Sequence, residues 1–457
     1  MTEKKDFLKK SEDIAFDEAH RATIKFNISK YDAAVAAGEK RYADLEKARD
    51  IASAIKEEAI LNLDKYLLQF EEKITSNGAE VLWASDSDEA IENIVNILKA
   101  HETELVVKSK SMITEEIEFN HHVEKNGVES VETDLGEYIV QVAGEKPYHI
   151  VTPAMHKSRH DIADLFHEKF NTPKDSTPEF LTNYVREQLR KKFTSAQVGV
   201  TGANFIVADA GGIALTENEG NGMMSFSFPK VHIVIAGIEK VVPRYRDLGL
   251  IWPLLAAHGT GQQITVYNSL ITGPRKANEV DGPEKMYVIL LDNGRTEVLK
   301  QETQYEALKC IRCGACLNAC PVYKTIGGYT YDSTYSGPIG SVLTPFFKGF
   351  KGYGHLSYAC SVCGKCTTKC PVRVPLHDLL LENRRKSVEE GNDPVSWNLG
   401  MKGFEFIFGR RKLLDLVNGN VKNMAVNLMM PNALGEKKKL RDIPKDSFSK
   451  QWKKTKK

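Results

Sequence analysis

Two stretches repeat one pattern: Cys310-Ile-Arg-Cys313-Gly-Ala-Cys316-Leu-Asn-Ala-Cys320-Pro321 and Cys360-Ser-Val-Cys363-Gly-Lys-Cys366-Thr-Thr-Lys-Cys370-Pro371. Together they hold all eight cysteines of the chain. Each reads C-x₂-C-x₂-C-x₃-C-P, a spacing suited to iron–sulfur ligation. Two residues between ligands let a tight loop turn three thiolates onto three corners of one cubane. Three residues then carry the fourth cysteine onto the start of a helix pointing away. The proline after it costs little there, because a first-turn N–H is unpaired anyway. The fourth cysteine therefore reaches the other cluster. The expected ligands of one [4Fe–4S] cluster are Cys310, Cys313, Cys316 and Cys370, and those of a second are Cys360, Cys363, Cys366 and Cys320.

Other uses of cysteine fit less well. A disulfide framework belongs to small secreted domains, and this chain has 457 residues and no apolar leader. Structural zinc uses C-x₂-C pairs but does not call for this run twice. A [3Fe–4S] centre would go with a missing cysteine, and both runs are complete. Gly314 and Gly364 fall where backbone must approach the sulfides closely. Ala315 and Ser361 leave N–H groups free to bond sulfur. Pro321 to Ala359, 39 residues rich in Gly, Tyr and Phe, separate the runs and are expected to cap the clusters or meet a partner. The arrangement resembles the α-helical ferredoxin domains of multi-subunit dehydrogenases and heterodisulfide-reductase-like proteins.

Upstream the patterning changes twice. Residues 1–75 read as helix, with Ile51, Ile55, Leu63, Tyr66, Leu67 and Phe70 at spacings near 3.6. From about residue 78 strands alternate with helices: strands Glu80–Ala84, Glu104–Val107 and Glu129–Glu132, helices Glu89–Ala100 and Thr114–Asn126. Helices Arg159–Phe170 and Pro178–Phe193 follow. Strands are then expected at Gln197–Val200, Asn204–Ala208, Gly212–Leu215, Lys230–Ala236, Gln263–Tyr267 and Lys285–Leu291, with a helix Tyr245–Ala257 kinked at Pro253. Such alternation means βαβ units, a mainly parallel sheet and a three-layer α/β domain. The expected domains are 1–75, helical; 76–300, α/β; 301–385, an α-helical ferredoxin-like domain with two [4Fe–4S] clusters; and 386–457, a helical extension ending in a basic tail.

Open α/β sheets bind ligands at the carboxyl ends of their strands. Lys108-Ser-Lys110-Ser111 follows a strand and opens a helix, so two lysines and free N–H groups make an anion site there; ordinary capping by Ser111 or Thr114 is the plain alternative. Thr201–Asn204, Asp209–Gly212 and Thr216–Gly222 are rich in Gly and Asn. Turn chemistry accounts for Asp209, whereas Glu217 and Asn221 join Lys108 and Lys110 as candidate site residues. His156, His160 and His167 match no metal motif and read as a helix surface. Gly259-Thr-Gly261 precedes a strand and lacks a third glycine, and no phosphate-binding loop occurs, so dinucleotide and ATP binding have no support.

The chain carries 62 Lys+Arg against 61 Asp+Glu, which excludes a globally basic nucleic-acid binder. From Glu436 to Lys457 there are ten basic and three acidic residues. The tail is therefore about +7 and the remainder about −6. No apolar run approaches the ~18 residues of a membrane span, so the expected location is cytoplasmic. Asp378–Lys386, Gly403–Phe408 and Leu416–Met430 read as helices that pack on the cluster domain. Docking to a partner or to the inner membrane face is the alternative use of them.

Taken together, Lys108–Met112 with Glu115 and Glu116, Val200–Asn204 through Asp209 and Glu217, and the two cysteine runs give a chain that resembles the lactate-utilisation iron–sulfur protein B family over nearly its full length. The resemblance implies an α/β domain similar to sugar-phosphate isomerases and CoA-transferases. It also implies an iron–sulfur electron-transfer subunit that acts with two companion proteins to oxidise L-lactate to pyruvate and passes electrons to an acceptor, a quinone-linked one being an option. CoA-transferases of the related fold use a glutamate in a Ser-Glu-Asn-Gly turn, and Thr216-Glu-Asn-Glu-Gly220 departs from it by the interposed Glu219. The alternative function is a carboxylate- or CoA-ester-binding enzyme on the α/β domain, with the clusters structural or regulatory.

Overall fold

Val231-His-Ile-Val-Ile-Ala-Gly237 is apolar on both of its faces, as a strand inside a fully covered parallel sheet must be. In a computed structural model describing residues 2–392, 395–429 and 441–455, this strand is central. The strands are β1 (Glu80–Ala84), β2 (Leu105–Lys108), β3 (Glu129–Glu132), β4 (Val198–Thr201), β5 (Phe205–Val207), β6 (Gly212–Glu217), β7 (Val231–Gly237), β8 (Val241–Val242), β9 (Tyr267–Ile271) and β10 (Lys285–Leu291). Six of them form a parallel sheet in the order β1-β10-β7-β4-β2-β3. The other four form a mixed sheet, β8-β5-β6-β9.

Alternation along the strands divides the core. Ile233, Ile235, Ile289 and Leu291 pack with Ile94 and Leu98 of the helix Ser87–Ala100 and with Phe119 and Val123. Val234, Ala236, Val288 and Leu290 pack on the opposite face with Leu67, Phe70 and Ile74 of the helix Leu63–Ser76 and with the mixed sheet. Helices Arg159–Phe170 and Pro178–Ser195 cover Leu105, Val107 and Val131. The architecture is layered α/β. From β2 the chain runs outward to β3 and then returns to β4 on the other side of β2, so a topological switch point lies between β2 and β4.

Three expected elements sit differently. The helix expected at Thr114–Asn126 is two, Met112–Glu116 and Phe119–Lys125, broken where Glu118 adopts φ 51°. The helix after β8 runs Leu248–Thr260, behind a short 3₁₀ turn at Tyr245–Asp247, and Pro253 lies inside it. The strand expected at Gln263–Tyr267 is displaced to β9, because Asn268 closes a turn: its amide donates to the Thr265 carbonyl at 2.9 Å and its oxygen accepts from Thr216 Oγ1 at 2.8 Å.

Residues up to Ser387 form one compact unit and those from Val388 a second. Within the first, the amino-terminal helices are shared between the sheet and the cysteine region. Phe7 lies against Tyr331 and His355, and Arg49 of the helix Leu45–Leu61 donates to the carbonyls of Cys370 (2.7 Å) and Thr368 (2.6 Å). In the second unit, the helices Val395–Phe408, Arg411–Leu416 and Gly419–Met429 leave Leu399, Phe404, Leu416 and Leu428 exposed. Met430, and residues 436–440 and 456–457 of the basic tail, lie outside the described residues.

A buried ionic cluster links the α/β layers to the first cysteine run. Arg295 makes two 2.9 Å bonds to Glu116 and one of 2.5 Å to Glu239; Tyr335 donates to Glu116 at 2.5 Å; and Arg312, stacked over the Tyr335 ring, lies 3.4 Å from Glu239. Burial alone would raise the Glu239 carboxyl, but Arg295 and Arg312 outweigh it and bring it down to about 2. Arg295→Leu strands two buried carboxylates without their main cation. The expected cost is about 3–5 kcal/mol, read as a lowered midpoint in denaturant unfolding of the full chain.

Candidate metal centres and the adjoining cavity

The two cysteine runs fold alike. Arg312 and Val362, each two residues after the first cysteine, are left-handed at φ 60° and 54°, and Gly314 and Gly364 follow at 78° and 71°. This reversal aims N–H groups inward: Arg312 N donates to Cys310 Sγ at 3.4 Å, and Val362 N to Cys360 Sγ at 3.3 Å. The fourth sulfurs also accept backbone bonds, Cys320 from Tyr323 N at 3.5 Å and Cys370 from Val374 N at 3.3 Å. Cys320 and Cys370 end the one-turn helices Ala315–Ala319 and Lys365–Lys369, whereas the sequence reading put them at helix starts. The next helices begin at Tyr323 and Leu376, after a turn through each proline.

The sulfurs divide between two cavities. Cys310, Cys313, Cys316 and Cys370 line one, walled by Ile150, Ile339, Val372 and Val374. Cys320, Cys360, Cys363 and Cys366 line the other, with Pro321, Tyr331 and Leu380. Burial pushes the Cys316 thiol far up, Cys366 to about 12 and Cys370 to about 11. Cys363 is exposed, and the Lys365 N–H lowers its thiol. Among the described residues no group of three or more His, Cys, Asp or Glu converges on one ion-sized point, as a mononuclear zinc site requires.

The surroundings fit a negatively charged sulfur cluster. Arg295 is buried against two carboxylates, Glu116 and Glu239, and Arg312, nearly as enclosed, reaches Glu239 from beside Cys310. Lys56 Nζ donates to the carbonyls of Glu239 (2.7 Å) and Val241 (2.9 Å), and burial lowers it to about 7. These cations were not picked out from the sequence. Arg312 had a signal, as the one charged residue among the non-cysteine positions of its run; Lys56 and Arg295 had none.

Beside the first cysteine set opens a cavity of ≈460 Å³ with a mixed lining, at the carboxyl ends of β2, β3 and β4. Its lining includes Lys110, Asp134, Glu217, Asn221, Arg312 and Cys313. Glu217 accepts from Gly222 N (2.6 Å) and Met223 N (2.7 Å), yet burial raises its carboxyl above the usual range. Lys110 lies 3.3 Å from Asp134 and donates to the Val151 carbonyl at 3.1 Å. Lys108 does not share the cavity. It is fully buried, 2.8 Å from Glu132, 3.5 Å from Glu115 and 2.9 Å from the Thr114 hydroxyl, and those carboxylates outweigh burial to hold the ammonium above its usual range. The structure thus separates the two lysines expected at one anion site. Asp209 accepts from Tyr245 N at 2.8 Å, in a turn. The three histidines do not share one helix face: His156 precedes the helix, stacked on Tyr148 and 2.7 Å from Glu145, while His167 bonds the Thr172 carbonyl.

With this geometry in view, comparison with known proteins is specific. Residues 67–291 match the LUD domain, and residues 306–374 match a 4Fe-4S dicluster domain. The chain is 46% identical over 360 residues to lactate utilization protein B of Bacillus thuringiensis (strain Al Hakam), covering 79% of this chain and 76% of that one. It is 43% identical over 361 residues, with the same coverage, to a protein of Escherichia coli (strain K12) named "uncharacterized electron transport protein YkgF". The chain belongs to the lactate utilization protein B family. It is an iron–sulfur protein in which the α/β layers are the LUD domain and the cysteine region is the dicluster domain. The crystal structure of a DUF162 family protein from Deinococcus radiodurans aligns with a TM-score of 0.28 at 14% identity, over 50% of this chain and 98% of that one.

Two contrasts test the site. Lys108→Met leaves Glu132 and Glu137 buried without a cation and is expected to cost about 3–5 kcal/mol in denaturant unfolding, whereas Lys110→Met, at a part-exposed pair, costs about 1 kcal/mol or less. Val362→Gly removes a β-branched side chain from the left-handed region, where L residues are disfavoured by ~1–2 kcal/mol. Its unfolding midpoint is expected to match or exceed the parent's.

Proposed function

We propose that this chain is the iron–sulfur electron-transfer subunit of a system that oxidises L-lactate to pyruvate, acting with companion subunits and handing electrons to an acceptor. Cys310, Cys313, Cys316 and Cys370 hold one [4Fe–4S] cluster, and Cys320, Cys360, Cys363 and Cys366 hold the other. Supporting this is one observation above all: each cavity takes three sulfurs from one run and the fourth from the other run. The names of the relatives supply lactate and electron transport. When bound, the two clusters supply one-electron steps, which split a two-electron oxidation into single transfers.

The protein's own residues give the two sets different surroundings. In the first set Cys313, Cys316 and Cys370 are buried, and Cys313 also lines the cavity at the strand ends. In the second, Cys363 reaches the surface. Electrons then arrive on the cavity side and leave on the Cys363 side. Backbone N–H groups on Cys310, Cys320, Cys360 and Cys370 orient the thiolates and spread their charge. No helix among the described residues is long and apolar enough to cross a membrane. A cytoplasmic location, with any quinone-linked acceptor reached through a companion, belongs to the same reading.

Anaerobically purified chain is expected to carry about eight irons and as many acid-labile sulfides, and after reduction to give an EPR spectrum of two interacting centres. Cys310→Ser and Cys370→Ser should damage one and the same signal, and Cys320→Ser and Cys360→Ser the other. A pattern in which Cys320→Ser damages the signal of Cys310 instead refutes the shared ligation.

A further inference from the structure

The carboxyl-terminal unit, from Val388 onward, is built unlike the rest of the chain. Among its described residues fifteen large apolar side chains are exposed and none is buried, against seventeen exposed in the 387 residues before it. Polar bonds hold its helices together in place of a core. Asn423 exchanges two bonds with the backbone of Ile443, at 3.0 and 2.8 Å, and Ser449 donates to Asp415 at 2.9 Å. Lys422 donates to the Leu414 carbonyl at 2.6 Å.

The exposed apolar side chains line up at helical spacing. On the helix Val395–Phe408, Phe404, Ile407 and Phe408 stand at i, i+3 and i+4, with the Phe404 and Phe408 rings stacked 3.8 Å apart. On the helix Gly419–Met429, Met424 is followed one turn on by Leu428, which is 82% exposed. On the helix Phe448–Thr455, Phe448 and Trp452 repeat that spacing. These helices have 14, 11 and 8 residues, whereas a bilayer span takes about 20. Short helices with outward apolar stripes suit a membrane interface, where they lie flat instead of crossing.

Cations flank each stripe. Arg410, Arg411 and Lys412 follow the first, Lys422 sits on the second helix, and Lys450, Lys453 and Lys454 share the third with the aromatic pair. From Val388 to Lys457 the sequence carries 15 Lys+Arg against 8 Asp+Glu, so the unit is about +7. Like charge opposes a second copy docking on the same face. A protein partner is the poorer match, because protein interfaces are depleted in lysine and 12 of the 15 cations here are lysine. Aromatic and aliphatic stripes flanked by lysine match an anionic bilayer, whose headgroups take the ammonium groups while the stripes reach the acyl boundary.

We propose that the carboxyl-terminal unit binds the surface of an anionic lipid bilayer, with its apolar stripes in the headgroup region and its lysine-rich tail on the lipid phosphates. This attachment is independent of how the clusters pass electrons.

The test uses the full-length, anaerobically purified chain in a flotation assay, in which aggregated protein sinks and only vesicle-bound protein rises. The vesicles are phosphatidylcholine alone, or phosphatidylcholine and phosphatidylglycerol in equal parts. The chain is expected to float with the anionic vesicles, to stay below with the neutral ones, and to float less as salt is raised. Phe404→Ser with Phe408→Ser, and separately Lys450→Glu with Lys453→Glu, alter exposed side chains, and circular dichroism checks that the helices are kept. Each pair should weaken partitioning about tenfold or more. If the phenylalanine pair misfolds, the lysine pair decides. Equal flotation with both kinds of vesicle, or paired variants that bind like the parent, overturns the proposal. A chain that floats with neither overturns it too, and its retention on immobilised polyglutamate would assign the face to an acidic protein partner instead.

Discussion

Neither cysteine run can complete its own ring of sulfurs. Three come from a loop bent through Arg312 and Gly314, or through Val362 and Gly364, and the fourth comes from the end of the opposite run. The 39 residues between the runs must therefore bring the second run back against the first. Their helix Gly337–Lys348 lies almost wholly in the core, placing Ile339 against one cavity and Pro338 against the other. Arg49 then locks the end of the second run from outside through two carbonyls. The left-handed turn at Val362 runs against the steric preference of a β-branched residue. It is tolerated where the inward N–H has a sulfur to meet.

How much of this the sequence discloses depends on whether the information is local. Ligand spacing is local, and so is strand patterning: Val231–Gly237 and Lys285–Leu291 read as strands because, His232 and Lys285 apart, their side chains form short continuous apolar runs. Glu118 at φ 51° is not readable, since nothing in Thr-Glu-Glu-Ile-Glu-Phe announces a break in a helical pattern. Nor is the displacement of β9, which is decided by Asn268 bonding across to Thr216, 52 residues away. The contrast between Lys108 and Lys110 is sharpest. Two residues apart on an extended segment they would share one face, and they do not, because β2 ends at Lys108: one enters a carboxylate cluster built from Glu115, Glu132 and Glu137, the other lines the cavity. A period-two reading carried on through Lys110 keeps them together, and only the end of the strand at Lys108 parts them. The role of the first 76 residues was opaque, because Arg49 meets its partners more than 300 positions downstream.

The two sulfur cavities also differ in a way that follows from electrostatics. Accepting an electron adds negative charge to a centre that is already negative, so burial opposes reduction and nearby cations favour it. Moving an ion out of water costs several kcal/mol even after relaxation. A unit charge ~4 Å from another repays ~4 kcal/mol at an effective dielectric near 20. The terms are of one size, so a deeply enclosed set of thiolates needs cations to remain reducible. The first set has Arg312 beside Cys310, with Lys56 and Lys240 near it although burial lowers them to about 7 and about 8, and Arg295 keeps Glu239 from cancelling Arg312. The second set stands nearer solvent through Cys363, so water does the same work there.

That division explains why the ionic cluster spans two domains. Glu116 comes from the helix after β2, Glu239 from the turn after β7, Arg295 from the helix after β10, Tyr335 from the segment between the cysteine runs and Arg312 from the first run itself. Were the α/β layers merely tethered to the cysteine region, surface pairs worth under ~1 kcal/mol each would suffice. A fully buried cluster is costly to build and costlier to break. It holds the carboxyl ends of the sheet in fixed register with the first sulfur set. A rigid, charged joint is what a flexible linker could not provide.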